Sequence, residues 1–191
     1  INSNESGKSV QQTNDGGYII TGYTESFGDE NSYVYLLKTD GNGNEQWSQT
    51  FGGGYNDCGN SVQQTTDGGY IITGGFGLLK TDGNGNEQWS QTFELAGLAG
   101  QNNSVQQTTD GGYIIIGDIT IGSDGPGPGN RDVYLIKTDL SGNEQWIQSF
   151  GGGDHDYGNS VQQTTDGGYI IIGDTRSFTD NSNFDIYLIK T

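Results

Sequence analysis

One segment recurs four times and governs what this chain can fold into: Gly59-Asn60-Ser61-Val62-Gln63-Gln64-Thr65-Thr66-Asp67-Gly68-Gly69-Tyr70-Ile71-Ile72, with close copies around Val10, Val105 and Val161. In each copy two short apolar or β-branched runs flank Asp-Gly-Gly. Glycine takes positive φ without steric cost, so this pattern predicts a β-hairpin. The valines lie 52 (10 to 62), 43 (62 to 105) and 56 (105 to 161) residues apart, and the length differences fall in loops. Each copy continues into a third run ending in lysine (Tyr33–Lys38 in the first). A turn such as Asp40-Gly41-Asn42-Gly43-Asn44 then leads into a fourth run, Glu45–Phe51, whose Trp47, Gln49 and Phe51 alternate with Gln46, Ser48 and Thr50. That alternation has the period of a strand.

Four strands per repeat at intervals of this size predict an all-β fold, a β-propeller with each repeat forming one blade. The expected blades span 8–51, 59–93, 103–150 and 159–191 of a single domain, 1–191, and the last lacks its outer strand. The favoured arrangement closes the ring with a three-stranded final blade; the alternative is part of a larger ring or assembly. No segment carries a helical stripe. Runs such as Tyr113–Ile116 are apolar on both faces, as a blade covered on both sides requires. Trp47, Trp89 and Trp146 read as wedges between blades, each burying on the order of 200 Å².

Composition narrows the function classes. Seven basic residues against 24 acidic ones give a net charge of −17, which disfavours nucleic acid and anionic membranes. The hydrophobic fraction is only 29%. Disorder is nonetheless disfavoured, because aromatic and β-branched residues recur at fixed places. The single cysteine, Cys58, permits no internal disulfide and no thiol cluster for zinc. No apolar run approaches the length of a membrane-spanning helix, so no membrane insertion is expected. Ile1, in place of an initiator methionine, reads as a processed or artificially made end.

The repeated unit of Gly-Asn-Ser-Val, Asp-Gly-Gly-Tyr-Ile-Ile-Thr-Gly, Tyr-Leu-Ile-Lys-Thr-Asp and Gly-Asn-Glu-Gln-Trp resembles the secreted β-propeller-repeat family of bacteria and archaea, over nearly the whole chain. More distantly, Asp40/Gly43/Trp47, Asp82/Gly85/Trp89 and Asp139/Gly142/Trp146 resemble the tryptophan-docking repeats of quinoprotein propellers. The first resemblance implies an extracellular or cell-surface module that binds or spaces other molecules. The second would imply a quinone cofactor, but the adjacent cysteine pair of that family is absent. Near-identity of the copies points to recent duplication, or to a designed or amplified sequence.

Little in the residues supports catalysis. His155 is the only histidine, and its place in an earlier loop is taken by Asn56, so it reads as a solvated loop residue. No serine lies in a nucleophile-elbow context. The Asp40–Asn44 and Asp82–Asn86 turns resemble the start of a calcium loop, yet lack the sixth-place glycine and twelfth-place glutamate. They read as plain turns; no cofactor is expected, with calcium the alternative there. Lys38, Lys80, Lys137 and Lys190 read as exposed partners of acidic turns. The pairs Gln11-Gln12, Gln63-Gln64, Gln106-Gln107 and Gln162-Gln163 should lie innermost, binding water or one another.

Residues that differ between repeats are the place to seek specificity, because loops on a rigid scaffold carry function. These loops are 24–32, 94–101, 119–132, 154–157 and 175–184. The candidate ligand-binding residues are Tyr23, Phe27, Tyr55, Asp57, Asp154, His155, Asp156, Tyr157 and Phe178. The expected function is a non-enzymatic extracellular binding or spacing module with a protein or polysaccharide partner. The alternatives are a self-assembling subunit of a surface layer or filament, forming a homo-oligomer through its unfinished last blade, and a fragment of a quinoprotein-like enzyme.

Overall fold

The computed structural model describes residues 4–26, 31–52, 57–75, 77–93, 100–121, 130–179 and 183–191. Among them there is no helix, and the fold is all-β and β-propeller-like, with one blade per repeat. The first blade is β1 (Glu5–Gln12), β2 (Tyr18–Thr24), β3 (Tyr33–Thr39) and β4 (Glu45–Phe51). The second is β5 (Gly59–Gln64), β6 (Tyr70–Gly74), β7 (Gly77–Thr81) and β8 (Glu87–Gln91). The third is β9 (Gly100–Gln107), β10 (Tyr113–Ile121), β11 (Asn130–Thr138) and β12 (Glu144–Phe150). The fourth has three strands, β13 (Asp156–Gln163), β14 (Tyr169–Thr175) and β15 (Asp185–Lys190). Every sheet runs antiparallel in chain order. The chain divides into two compact units, Ile1–Thr92 and Phe93–Thr191, each carrying two blades.

The hairpin turns form as the Asp-Gly-Gly pattern predicts. In the first, Thr13 N–H donates to Gly17 O at 2.9 Å, and Asp15 Oδ1 accepts from Thr13 Oγ1 at 2.5 Å and from Gly17 N at 3.0 Å. The first glycine of the pair takes φ near +84° at Gly16 and Gly68, a conformation costly for any other residue. A Cβ on the second, at Gly17, would collide with Thr39 O and Lys38 Nζ. The turn therefore leaves room for the lysine that ends β3.

That lysine is not the exposed residue expected from sequence. Lys38, Lys80 and Lys137 are buried, at 3–4% exposure. Lys137 Nζ lies 3.0 Å from Asp110 Oδ2 and donates to Thr138 O at 2.7 Å and to Gln145 Oε1 at 3.3 Å. It joins the hairpin turn to β11 and β12 of its own blade. Lys190 has no fourth strand beside it and remains 45% exposed, held by Asp166 Oδ2 at 3.0 Å and Thr191 O at 2.7 Å.

Within each unit the two blades pack face to face. In the first unit Ile19, Val34 and Leu36 of the first blade bury against Val62, Tyr70, Ile72 and Leu79 of the second, with Trp47 and Phe51 at the margin. Trp47 tilts against Tyr70, ring centroids 5.8 Å apart. Its ring also lies over Gly85, where a Cβ would approach Trp47 Cζ3 to 2.7 Å. The second unit repeats the arrangement: Ile114, Ile116, Val133 and Leu135 pack on Val161, Tyr169 and Ile171, with Trp146 set edge-on to Tyr169 at 5.9 Å. Trp47 and Trp146 are thus the inter-blade wedges that the repeat predicts, while Trp89 is half-buried on β8. Each fully buried apolar side chain contributes about 1.5–3 kcal/mol relative to exposure.

The strand-one glutamines bond to one another across neighbouring blades within each unit, stitching the blades together. Gln64 N–H donates to Gln11 Oε1 at 2.6 Å, and Gln64 Oε1 accepts from Asn14 N at 2.9 Å. Gln163 N–H likewise donates to Gln106 Oε1 at 2.6 Å, and Gln163 Oε1 accepts from Thr109 N at 2.9 Å. Each amide oxygen satisfies a backbone donor that the antiparallel ladder leaves free.

Candidate functional site

Five of the sequence-nominated residues, Asp154, His155, Asp156, Tyr157 and Phe178, meet in the second unit, where the chain enters β13 and leaves β14. The approach runs through Gly151-Gly152-Gly153. Asp156 anchors it: fully buried, its carboxylate accepts from Thr175 Oγ1, from Ser177 Oγ at 2.6 Å and from Gly152 N at 3.0 Å. With three donors taken, Asp156 braces the loop and has little left for a ligand. Glu5, Thr24 and Ser26 form the same bracket in the first blade, with Glu5 Oε1 accepting from Thr24 Oγ1 at 3.2 Å and Ser26 Oγ at 2.6 Å. The bracket therefore belongs to the blade, not to a site peculiar to one loop.

His155 is half-buried rather than solvated. Its Nδ1 accepts from Arg131 N at 3.3 Å, and its carbonyl accepts from Arg176 N at 2.9 Å. The backbone N–H of His155 donates to Asp154 Oδ1 at 2.7 Å, and Asp154 N–H donates to Ser177 Oγ at 3.0 Å. The histidine thus ties together the start of β11, the entry to β13 and the end of β14.

Around it gathers a layer of rings and guanidinium groups. The His155 and Tyr157 rings are near-parallel, 14° apart with centroids 6.2 Å apart. Tyr157 meets Phe184 at 5.5 Å, and Phe178 meets Tyr187 at 5.5 Å. Arg131 lies 5.8 Å from the Tyr157 centroid and Arg176 4.1 Å from that of Phe184, both within cation–π range. Phe178 is 63% and Phe184 40% exposed, so ring faces reach solvent. The buried Nε of Arg176 has no hydrogen-bond partner among the described residues. These are both of the chain's arginines, placed together in a strongly acidic molecule.

Acidic groups beside the layer are held in place. Arg131 Nη1 pairs with Asp118 Oδ2 at 2.7 Å, and Asn103 Nδ2 donates to Asp118 Oδ1 at 3.1 Å. Burial raises the Asp118 carboxyl above its ordinary value, against the lowering effect of Asn103 and Arg131. Asp132 is likewise raised, first by burial and then by the neighbouring Asp156 charge.

The other nominated residues fall elsewhere. Tyr23 is a half-buried residue of β2 in the first unit, with Lys8 Nζ 5.9 Å from its ring centroid. Asp57, also half-buried there, sets its carboxylate against Gly52, where a Cβ would meet it. Phe27 and Tyr55 lie outside the described residues. Sequence reasoning missed Arg131, Arg176, Phe184 and Tyr187. The available signal was that both arginines fall within the two loops, 119–132 and 175–184, that vary most between repeats.

The calcium-like turns are closed on themselves. Asp40 accepts from Asn42 N at 2.8 Å, Asn44 N at 2.9 Å and Asn44 Nδ2 at 2.9 Å, and Asp82 and Asp139 repeat the pattern. Hydrogen bonds from the following asparagine hold all three carboxyls below the ordinary range. Each turn uses its aspartate as the internal acceptor of the reversal.

No family model matches the sequence, and no curated protein matches it. Among solved structures, a protein of unknown function from Bacteroides caccae is similar, with a TM-score of 0.52 at 12% identity over 83% of this chain and 64% of that one. A tail fiber of Staphylococcus aureus phage P68 matches with a TM-score of 0.36 at 9% identity, over 96% of this chain and 49% of that one. This chain thus spans less than two thirds of either structure. The first similarity concerns the fold alone, and together with the repeated sheets it supports a β-propeller-like architecture built from repeated blades.

Proposed function

We propose that this chain is a non-enzymatic binding module of the secreted β-propeller-repeat type, working outside the cell or at its surface. On this reading its ligand surface is the layer formed by Tyr157, Phe178, Phe184, Arg131 and Arg176. The observation that carries it is the placement of Arg176 4.1 Å from the centroid of the 40% exposed Phe184 ring, with the 63% exposed Phe178 in the same loop of the second unit. Exposed ring faces stack on the apolar faces of sugars, and guanidinium groups beside them donate to sugar hydroxyls. The favoured partner is therefore a polysaccharide, ahead of a protein. The non-enzymatic reading is supported by the engagement of His155 Nδ1 with Arg131 N and by the saturation of Asp156 with internal donors.

The test is a glycan array read with the folded chain and with Phe178→Ala and Arg176→Ala. Binding to a glycan that falls at least about tenfold in either variant supports the assignment, a loss of the size expected for one stacking or charge-assisted contact. Equal binding by all three proteins, or no binding to any glycan, removes it.

A further inference from the structure

Two carboxyl groups converge in the second unit where the third blade meets the fourth. Asp132 stands near the start of β11, one residue before the Val133–Phe150 pair, and so faces Gly151 beyond the end of β12. Asp156 enters from the start of β13. A Cβ on Gly151 would collide with Asp132 Oδ1 and lie 2.8 Å from Asp156 Oδ2, so both oxygens crowd the same α-carbon. The first unit lacks this pair. Gly52 and Asp57 occupy the places of Gly151 and Asp156, but Tyr33 takes the place of Asp132.

The two carboxyls are unequally served. Asp156 accepts from Thr175 Oγ1, Ser177 Oγ and Gly152 N, which leaves about one of a carboxylate's four acceptor positions open. Asp132 Oδ1 is buried and has no hydrogen-bond partner among the described residues. The basic groups nearby are turned elsewhere: Arg131 to Asp118 and the Tyr157 ring, Arg176 to the Phe184 ring, and His155 Nδ1 to Arg131 N. From β10 the residue opposite Asp132 is the apolar Ile119. From β15 comes Tyr187, whose hydroxyl is raised by burial and then by the charges of Asp156 and Asp132. Burial first, and the Asp156 charge second, raise the Asp132 carboxyl in turn. Two carboxylates fall short of the roughly six to eight oxygens that calcium takes. Among the described residues no group of three or more His, Cys, Asp or Glu side chains could hold a metal ion.

We propose that Asp132 and Asp156 form a proton-operated latch on the Gly151-Gly152-Gly153 entry to β13. With a proton on Asp132 Oδ1, the hydroxyl donates into the open acceptor position of Asp156 and the segment is held closed. When that proton leaves to water, two like charges face each other across Gly151 and the segment loosens. The latch acts on the arm that carries His155 and Tyr157, yet it depends on no ligand of the aromatic–arginine layer.

Carboxyl NMR titration of the folded chain, with amide exchange of Gly152 read alongside, tests it. Asp132 should titrate above the ordinary aspartate value near 3.9. Gly152 N–H, which donates to Asp156 Oδ2 at 3.0 Å, should lose about fivefold in protection as pH rises through that midpoint, after correction for intrinsic exchange. Asp132→Asn supplies a donor that does not titrate, so its Gly152 protection should stay high across the same window. The sign for stability follows from linkage. A carboxyl raised in the folded state weakens folding once ionised, so Asp132→Asn should unfold at a higher temperature than wild type at about pH 7. The difference should close by about pH 3, where the wild-type carboxyl is protonated in both states. An Asp132 midpoint at or below the ordinary value overturns the proposal. So does Gly152 protection that stays constant through the midpoint, or an Asp132→Asn chain with the wild-type pH dependence. The two wild-type readouts need no variant, so they decide the matter even where Asp132→Asn fails to fold.

Discussion

Replacing Lys137 by methionine keeps the aliphatic stem and removes the ammonium group that joins the hairpin turn to the outer strand of the third blade. Three acceptors lose a charged donor: Asp110, Thr138 O and Gln145 Oε1. Asp110 is 59% exposed at its side chain and Gln145 is exposed, so both can rehydrate. The Thr138 carbonyl belongs to a residue with 0% exposure and is left without its donor. An orphaned buried acceptor costs about 1–3 kcal/mol, and loss of a charge-assisted bond adds to this, so the expected destabilisation is about 2–3 kcal/mol. Lys190→Met removes the chemically identical group from the fourth blade of the same unit. There the lysine and its partners Asp166 and Thr191 are exposed, and the expected cost is below about 1 kcal/mol. Urea denaturation of both variants, followed by circular dichroism, measures the difference. Equal losses, or a neutral Lys137→Met, would refute the reasoning that burial by the fourth strand sets the worth of this lysine.

Two further outcomes follow from the same contacts. Trp146→Ala should destabilise the second unit by about 2–4 kcal/mol, since the ring is partly buried against Tyr169 at 5.9 Å, and should quench the blade contact seen by near-ultraviolet dichroism. Stability should also fall as pH drops from about 4 to about 2. The Asp110 carboxyl is held down to about 2, first by Thr108 and then, against burial, by Lys137 and Gly112 N. Asp67 is also brought down to about 2, with Thr65, Lys80 and Gly69 N outweighing burial. A carboxyl lowered in the folded state stabilises above its unfolded value near 3.9 and loses that contribution as pH falls through the folded one. Asp118 and Asp132, which are raised, act in the opposite sense, and acid titration of thermal stability reads the net slope.

Much of the fold was legible because its signals are local. The Asp-Gly-Gly turn, the alternation through Trp47 and Phe51, and the repeat spacing each fix geometry within a few residues. The wedge role of Trp47 and Trp146 was legible too, because a large ring recurring once per blade needs a covered face. The lysines were legible in part: they pair with acidic turns of their own blades, as in Lys38 with Asp15 across the hairpin, but their burial beneath the fourth strand was not visible in the repeat. In the candidate site, variability between repeats pointed to the loop around His155. The ring and guanidinium contacts join residues as far apart as Arg131 and Tyr157, and no spacing rule connects those. The burial of individual strand residues was the least legible feature. Leu188 and Leu135 stand in the same sequence context, yet Leu135 is buried against the fourth blade while Leu188 is 65% exposed.

That dependence on neighbours is the central claim, and native-state amide hydrogen exchange tests it most directly. Strands β10 and β14 are each paired on both sides and carry nearly the same sequence. They differ in that Ile116 on β10 is fully covered while Ile172 on β14 is 47% exposed. At concentrations where the chain is monomeric, the amides of β14 should exchange at least about tenfold faster than those of β10, reflecting a lower opening free energy for the half-covered blade. Equal protection of the two strands would contradict the claim that face-to-face coverage, rather than the sheet's own hydrogen bonds, holds each blade together.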